Sequence, residues 1–181
     1  MLRGPVGILH NMSRTDYAAS FFAKSNNRRI RMKAFDYSLV KDPQYFKDGR
    51  MDAHSDHTYY RDGEEAKEKE TSFRYDLNGI WKFHYARNYG SAILGFEKEE
   101  YCCRDWDDIR VPAHIQMEGY DAPQYANVQY PWEGHEDIHP GEIPEHFNPV
   151  ASYVKYFTVP EQMKGKRLFI RFEGVNNIAD V

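Results

Sequence analysis

Cysteine is nearly absent from this sequence: only Cys102 and Cys103 occur among 181 residues, and they are neighbours. Adjacent cysteines rarely bridge each other, so we expect two reduced thiols and a cytoplasmic setting instead of a disulfide framework. The pair also lacks the CxxC spacing of metal and redox sites, so a buried or interface pair is expected. No apolar run approaches the ~18 residues that a membrane-spanning helix needs.

Acidic residues are scarce in the first 31 positions, which hold six Lys or Arg against one Asp, a net charge of +5. The whole chain carries −4, so the remainder carries −9, and this balance excludes a uniformly basic nucleic-acid-binding domain. The pair Phe21–Phe22 is too short for the apolar core of a signal peptide. We expect residues 1–31 to be a disordered basic extension; a nucleic-acid-binding arm and a transit peptide are the alternatives.

Aromatic residues are abundant, at 15% of the chain, and favour β structure. Short strands are predicted near 80–85, 108–111, 153–159 and 167–173, where apolar and polar residues alternate between turns rich in glycine and proline. In two of these strands the residues that share one face are Trp81, Phe83 and Tyr85, and Leu168, Ile170 and Phe172. This punctuation predicts an all-β fold, an antiparallel β-sandwich.

Residues 32–75 are aromatic but irregular, and we expect an extended N-terminal arm that runs over the surface of a larger body. Within the arm, the charge run 62–70 holds one favourable helical pair, Glu65 with Lys69, and is expected to be a solvated helical turn or a loop. The predicted organisation is therefore a basic extension over 1–31, the arm over 32–75, and a sandwich domain over 76–181.

The stretch Val111–Trp132 follows neither a helical nor a strand period. It holds three tyrosines, a tryptophan, and turn-forming residues at Gly119 and Pro123. Side-chain carboxamides, each both a donor and an acceptor, lie among these rings: Gln116, Gln124, Asn127 and Gln129. That mixture suits a polyhydroxylated ligand such as a sugar; a buried structural loop held by its aromatic rings is the alternative.

The same stretch resembles the N-terminal sugar-binding domain of the large β-galactosidases of glycoside hydrolase family 2. The family pattern VPxxxQMxGYDxPxYxNVxYP is present with unbroken spacing from Val111 to Pro131. Leu77–Gly79 upstream and Phe172–Val175 downstream support the resemblance, which extends from Met32 to Val175. A β-glucuronidase-type enzyme shares the architecture, but the GYDxPxYxNVxYP sequence points to a galactosidase.

The resemblance implies a jelly-roll β-sandwich of the galactose-binding-domain type, incomplete in this chain. It places Asn127 at the motif position from which an asparagine reaches into the galactose site. The residues expected to support that loop are Tyr120, Asp121, Pro123, Tyr125 and Tyr130. Asp121 is expected to cap a turn, not to act as a general acid, and Trp132 to wall the site or pack the loop.

The resemblance also implies hydrolysis of terminal β-galactose residues, as in lactose, by a retaining mechanism. Its two catalytic glutamates belong to a barrel domain several hundred residues further on, and no acid of this chain lies in a matching motif. We therefore expect an N-terminal fragment that is inactive alone. No cofactor is expected in this chain, whereas Mg²⁺ and a monovalent cation are implied for the complete enzyme. The expected partners are a galactoside, the remaining domains and further copies, not nucleic acid or a membrane.

Two other functions fit the same residues. A stand-alone carbohydrate-binding module would bind galactosides without cleaving them. A complementing structural fragment would act only when docked on a partner chain that lacks this region.

The segment 132–147 holds His135, His139 and His146 among several carboxylates, a composition that could bind a divalent metal ion. HxxxH ligation requires a helix, which the prolines and glycine of this segment forbid. A polar surface loop is therefore the expected structure.

Because the resemblance begins near Met32 and fades after Val175, we expect Met32 to be the natural start and the chain to be a truncated part of a longer protein. Mass spectrometry of the native N-terminus should then find peptides that begin at Met32. Peptides from residues 1–31 at full abundance would contradict this expectation.

Overall fold

The computed structural model describes most of the chain after residue 35, together with one short segment before it. The described residues are 3–10, 36–55, 57–98, 100–123, 127, 132–134, 136–175 and 178–179. For residues 3–10 only the backbone is considered.

The described strands form one five-stranded sheet in which every neighbouring pair is antiparallel. In chain order they are β1 (Arg3–His10), β2 (Gly79–Ala86), β3 (Asp107–Val111), β4 (Val150–Tyr156) and β5 (Ile178–Ala179). Their order across the sheet is β3-β2-β4-β1-β5. The predicted strands near 80–85 and 108–111 are confirmed, and the predicted strand 153–159 begins and ends three residues earlier.

Strand β2 pairs with β3 on one side and with β4 on the other. Trp81 lies opposite Ile109 of β3, and Phe83 lies opposite Tyr153 of β4. The rings of Phe83 and Tyr153 lie 4.9 Å apart between centroids, a distance typical of favourable aromatic pairs. These two cross-strand pairs stabilise the register of β2 with β3 and with β4.

The two faces of the sheet bury separate clusters, as the alternation predicted for β2 requires. On one face, which we call the loop face, the buried residues are Trp81, Phe83, Ile109, Ala151 and Tyr153. The opposite face buries Ala86, Phe96, Cys103, Trp106, Val150 and Val154. Strand β4 contributes side chains to both clusters, so it is covered on both sides.

Irregular segments cover these two faces. Tyr89, Ala92, Ile93 and Tyr101, from the connection between β2 and β3, pack on the second cluster. The loop face is covered by Ile115 and Tyr120 after β3, and by Ile170 and Phe172 later in the chain. Ile115 and Tyr120 belong to the aromatic motif, so the first part of the motif packs on the loop face.

The helices are short and lie outside the sheet. The single α-helix of the described residues is α1 (Gly63–Glu68), and the 3₁₀ turns span Tyr37–Lys41, Tyr89–Ser91, Ile115–Glu118 and Glu161–Met163. The Asp62 carboxylate caps α1 by accepting from the backbone N–H groups of Glu64 and Glu65. A solvated helical turn in the charge run 62–70 is thus confirmed, although the ion pairs formed are Lys67–Glu64 and Arg61–Glu65.

The arm is attached to the sheet through Tyr37. Its ring stacks on Tyr89 with centroids 4.0 Å apart, and the buried Asn148 carboxamide donates to its hydroxyl at 3.0 Å. Burial is the main cause that raises the pKa of Tyr37. Two other arm rings are largely exposed: 67% of Phe46 and 70% of Tyr59 face solvent. The arm also contacts the domain near its other end, where the Lys166 ammonium lies 4.6 Å from the centre of the Phe73 ring, and it presents aromatic surface between the two contacts.

Two sequence predictions differ from the structure. Residues 3–10 are not disordered: their backbone forms β1, because the free edge of β4 supplies hydrogen-bond partners despite the low strand propensity of Gly4, Pro5 and Gly7. Residues 167–173 do not form a regular strand; Leu168 alone makes an isolated bridge. The predicted alternation of buried and exposed residues persists there, but none of the five described strands pairs with the segment to complete a ladder.

An antiparallel, β-rich domain is confirmed, whereas the described residues contain one sheet and not the two sheets of a jelly roll. Both cysteines are free; Cys103 is buried and Cys102 is exposed, so only one of the predicted pair lies in the core. Within the described residues, no helix is both long and apolar enough to cross a membrane.

Replacing Phe83 by Ala should lower the free energy of unfolding by about 3–5 kcal/mol, because loss of a fully buried ring (0% exposed) leaves a cavity between the sheet and the loop that covers it. Urea unfolding followed by tryptophan fluorescence measures this change. Phe46→Ala, at an exposed position of the arm, is the matched control and should change stability by less than about 0.5 kcal/mol. Equal effects of the two substitutions would contradict the assignment of the core.

Candidate functional site

The aromatic motif leaves the sheet at the end of β3 and crosses the loop face. Val111 is the last residue of β3, and the 3₁₀ turn Ile115–Glu118 follows it. The turn ends at Gly119, whose φ of +89° favours glycine. The backbone N–H of Tyr120 donates to the carbonyl of Ile115 at 3.1 Å and closes the turn. The chain is thereby directed back onto the aromatic cluster.

Tyr120 attaches the motif to the sheet. Its ring meets the Phe83 ring edge-on, with centroids 4.5 Å apart. The pKa of Tyr120 is raised, chiefly by burial and then by the nearby Asp107 carboxylate of β3, because both disfavour the phenolate.

Asp121 follows Tyr120, and its charge acts on Tyr85 of β2. Burial is the main cause that raises the pKa of Tyr85 to about 12, and the negative charge of Asp121 adds to the effect because it disfavours the phenolate. Asp121 was predicted to cap a turn, and that role stays a prediction.

Trp132 lies at the far end of the motif and is buried. Only 8% of the residue is exposed, and its φ of +67° is rare for a bulky residue. Its carbonyl accepts the backbone N–H of Glu136 at 3.3 Å. That Trp132 walls the site or packs the loop stays a prediction.

Asn127 lies between Asp121 and Trp132 in the chain and is exposed. Its φ is +65°, in the left-handed region that asparagine tolerates better than most residues. Pro123, a predicted support, is exposed. Two further predicted supports, Tyr125 and Tyr130, lie outside the described residues. The structure therefore packs Tyr120 on the sheet and places Asn127 on the surface; its contact with a sugar stays a prediction.

Glu136 holds the segment after Trp132, a role that no pattern in the sequence indicated. Its carboxylate accepts the backbone N–H groups of Glu145, His146 and Phe147 at 2.7–3.3 Å. These bonds favour the ionised form, and the bond from Glu145 is the main cause that lowers the pKa of Glu136. The donor residues lie nine to eleven positions after Glu136. Helix and strand periods do not relate residues so far apart in an irregular segment, so these bonds could not be predicted from the sequence.

The same segment is fastened to the end of β2. The Asn88 carboxamide donates to the carbonyl of His146 at 3.1 Å, and the Asn148 backbone N–H donates to the carbonyl of Arg87 at 3.0 Å. The Arg87 guanidinium lies 5.5 Å from the centre of the Phe147 ring. The end of this loop, at residues 146–148, is thus held beside the end of β2.

The histidines of this segment form no metal centre within the described residues, where no three His, Cys, Asp or Glu side chains are placed to hold an ion. His139 instead pairs with Glu142 at 3.2 Å, and His146 is exposed. His135 lies outside the described part of the chain.

These features define a class of protein: a β-rich domain whose antiparallel sheet carries an aromatic loop with an exposed carboxamide.

Comparison with known proteins identifies the family. The sequence model described as glycosyl hydrolases family 2, sugar binding domain, matches residues 74–181, which is more than half of the chain. The chain belongs to this family. The match contains β2, β3 and β4 and the whole aromatic motif.

Characterised relatives are β-galactosidases. The β-galactosidase of Halalkalibacterium halodurans is 52% identical over 139 residues, 76% of this chain and 14% of that protein. The enzyme of Streptococcus thermophilus is 44% identical over 138 residues, again 76% of this chain and 14% of the relative. The β-galactosidase large subunit of Latilactobacillus sakei is 38% identical over 145 residues, 74% of this chain and 23% of that subunit. The chain therefore spans less than a quarter of the length of each.

Glu136→Gln should destabilise the domain at pH 7, because an uncharged amide accepts the three backbone N–H groups less strongly. Since the folded-state pKa of Glu136 lies below its ordinary value, its stabilisation is present above that ordinary value and is lost as the pH falls through the lower, folded value. Thermal unfolding at a series of pH values should show a difference at pH 7 that disappears in acid.

Glu68→Gln, at an exposed position of α1, serves as the control for the loss of one negative charge. It should leave the unfolding temperature nearly unchanged at every pH. A Glu136→Gln difference that persists undiminished in acid would contradict the role given to the carboxylate.

Proposed function

We propose that this chain forms the sugar-binding domain of a β-galactosidase that hydrolyses terminal, non-reducing β-D-galactose residues, and that its Asn127 contacts the galactose. The observation that carries the proposal is the exposed Asn127, in a motif whose Tyr120 packs on the sheet and whose Trp132 is buried. The names of the relatives support the substrate class.

A carboxamide suits this role because it both donates and accepts hydrogen bonds. One Asn127 side chain would accept from one sugar hydroxyl and donate to its neighbour, and so respond to the orientation of both. A polar site of this kind rejects ligands that leave its groups unpaired. Packing of Tyr120 on the sheet limits the ordering entropy that binding would otherwise cost.

Catalysis in this proposal belongs to another part of the enzyme. A retaining glycosidase needs two carboxyl groups about 5–5.5 Å apart, one acid/base and one nucleophile. The resemblance assigns both to glutamates of a barrel domain, so the chain by itself is proposed to be inactive. The resemblance likewise assigns Mg²⁺ and the monovalent cation to the complete enzyme.

The remaining domains are the proposed partners of the arm. Phe46 and Tyr59 present large exposed rings, which suit burial against another protein surface. In the complete enzyme the domain is proposed to be a jelly-roll sandwich and the protein to assemble with further copies of itself. Relatives named as large subunits support an enzyme of more than one chain or domain.

A cytoplasmic location is part of the same proposal. Cys102 and Cys103 are both free thiols, and disulfides are uncommon where the compartment is reducing. The net charge of −4 and the acidic bulk of the chain give no support to nucleic acid as a partner.

A chimeric enzyme tests the function. Residues 74–181 would replace the matching segment of the Halalkalibacterium halodurans relative, and hydrolysis of a chromogenic β-galactoside would be measured. The chimera should be active and the isolated 181-residue chain inactive. Asn127→Ala in the chimera should raise KM by roughly tenfold, because hydrogen bonds worth about 1.4 kcal/mol are lost.

Gln162→Ala is the matched control, since Gln162 is another exposed carboxamide, located in a 3₁₀ turn away from the motif. It should leave KM unchanged. A folded chimera without activity, turnover by the isolated chain, or an Asn127→Ala variant with unaltered KM would each overturn the proposed function.

A further inference from the structure

Positive and negative charges are separated along the second half of this chain. No Lys or Arg occurs between Arg110 and Lys155, a stretch that contains seven carboxylates. From Lys155 to Glu173, by contrast, there are five Lys or Arg and two Glu. The fold decides whether charges that are separate in sequence are also separate in space.

The cationic residues gather beside the beginning of β2. The Lys155 ammonium donates to the carbonyl of Ile80 at 2.8 Å. The ring of Tyr75, which precedes β2, lies 6.3 Å from the ring of Phe157, which follows β4. These contacts bring the segment before β2 and the segment after β4 to the same end of the sheet.

We call residues 73–77 and 155–173 the basic end. It holds six Lys or Arg against three acids, a net charge of +3. The Lys166 ammonium lies 4.6 Å from the centre of the Phe73 ring, a favourable distance for a cation over an aromatic face. Three rings of this end are exposed: Phe73, Tyr75 and Phe169. The basic end therefore presents apolar and cationic surface together.

The acidic residues gather at the other end of the same strand. Residues 133–148, which we call the acidic end, hold five carboxylates and neither Lys nor Arg. Glu136 accepts from the backbone of residues 145–147 and so draws the segment together. Asn88, just after β2, donates to the carbonyl of His146. Arg87 contacts the Phe147 ring and offsets one of the five negative charges.

The length of β2 keeps the two ends apart. The strand contains eight residues, so its first and last residues are separated by roughly 23 Å at about 3.3 Å per residue. The Debye length at physiological ionic strength is about 8 Å, so the charges at the two ends of one molecule do not neutralise each other. A second copy, placed end to end with the first, would bring opposite charges into contact.

We propose that the basic end of one copy binds the acidic end of a second copy. The contact is heterologous, so a pair of copies still has one unoccupied basic end and one unoccupied acidic end, and further copies can add. Opposite charges orient the encounter, and the exposed rings supply apolar area. These surfaces would serve the assembly with further copies that belongs to the proposed function, and the inference rests on that function only in this respect. Neither end includes Asn127.

Sedimentation velocity of the 181-residue chain tests the inference. The weight-average sedimentation coefficient should rise with protein concentration at low salt. It should return to the monomer value as NaCl is raised from about 0.01 M to about 1 M, because the Debye length falls from about 30 Å to about 3 Å. A monomer under all these conditions, or association that high salt does not weaken, would overturn the inference.

Two charge-reversed variants identify the surfaces. Arg74→Glu with Lys166→Glu alters the basic end, and Asp137→Lys with Glu145→Lys alters the acidic end; all four positions are exposed. Either variant alone should associate roughly tenfold more weakly than the wild type, because the attraction between the two ends is lost. Wild-type association in both variants would overturn the inference.

Lys67→Glu with Lys98→Glu is the matched control, since both lysines are exposed and lie outside the two ends. This variant should change the dissociation constant by less than about twofold. Thermal unfolding of every variant should show the wild-type transition, which separates a lost contact from a lost fold.

An equimolar mixture of the two charge-reversed variants distinguishes this contact from any other. The unaltered acidic end of one variant should bind the unaltered basic end of the other and restore a dimer. Growth should stop there, because the reversals take the basic end from +3 to −1 and the acidic end from −5 to −1. A mixture that stays monomeric would overturn the inference.

The failure of this inference and that of the proposed function give different results. If the wild-type chain stays monomeric while the chimera hydrolyses the β-galactoside, the inference fails and the proposed function stands. If the mixture forms the dimer while the folded chimera is inactive, the proposed function fails and the contact between the two ends stands.

Discussion

The contact between β2 and β4 is the interaction on which the rest of this structure depends. Phe83, with no exposed surface, lies opposite Tyr153, and burial raises the pKa of Tyr153 to about 12. Around this pair both faces of the sheet are covered, one by the connection between β2 and β3 and the other by the aromatic motif. Apart from the 3₁₀ turn Ile115–Glu118, the described part of the motif after β3 has no regular structure, so its conformation depends on the surface on which it rests.

Loops that carry function need a scaffold that restricts them without burying them. Here Tyr120 packs on Phe83 and Trp132 is buried, while Asn127, between them in the chain, is exposed. The strands thus contribute to the site indirectly, because they hold the start of the loop. Membership in the sugar-binding domain family of glycosyl hydrolases family 2 gives this arrangement its functional context.

Sequence patterns predicted the strands that alternate strongly and failed where pairing overrides propensity. The alternation of Trp81, Phe83 and Tyr85 identified both β2 and its buried face. The glycines and proline of residues 3–10 concealed β1, which exists because β4 has an edge to pair with. Conversely, 167–173 alternates cleanly but forms no regular strand, because no described strand lies beside it. Alternation of apolar and polar residues predicts which face of a segment is buried. It does not predict whether a neighbouring strand is present to pair with that segment.

The sequence by itself determined the family and the antiparallel β-rich class, because these depend on residue identity and local spacing. Only the tertiary structure decided that Tyr120 packs edge-on against Phe83 and that Glu136 binds the backbone of residues 145–147. Hydrogen bonds between residues distant in sequence have no periodicity, and they exist only once packing has brought donor and acceptor within about 3 Å of each other.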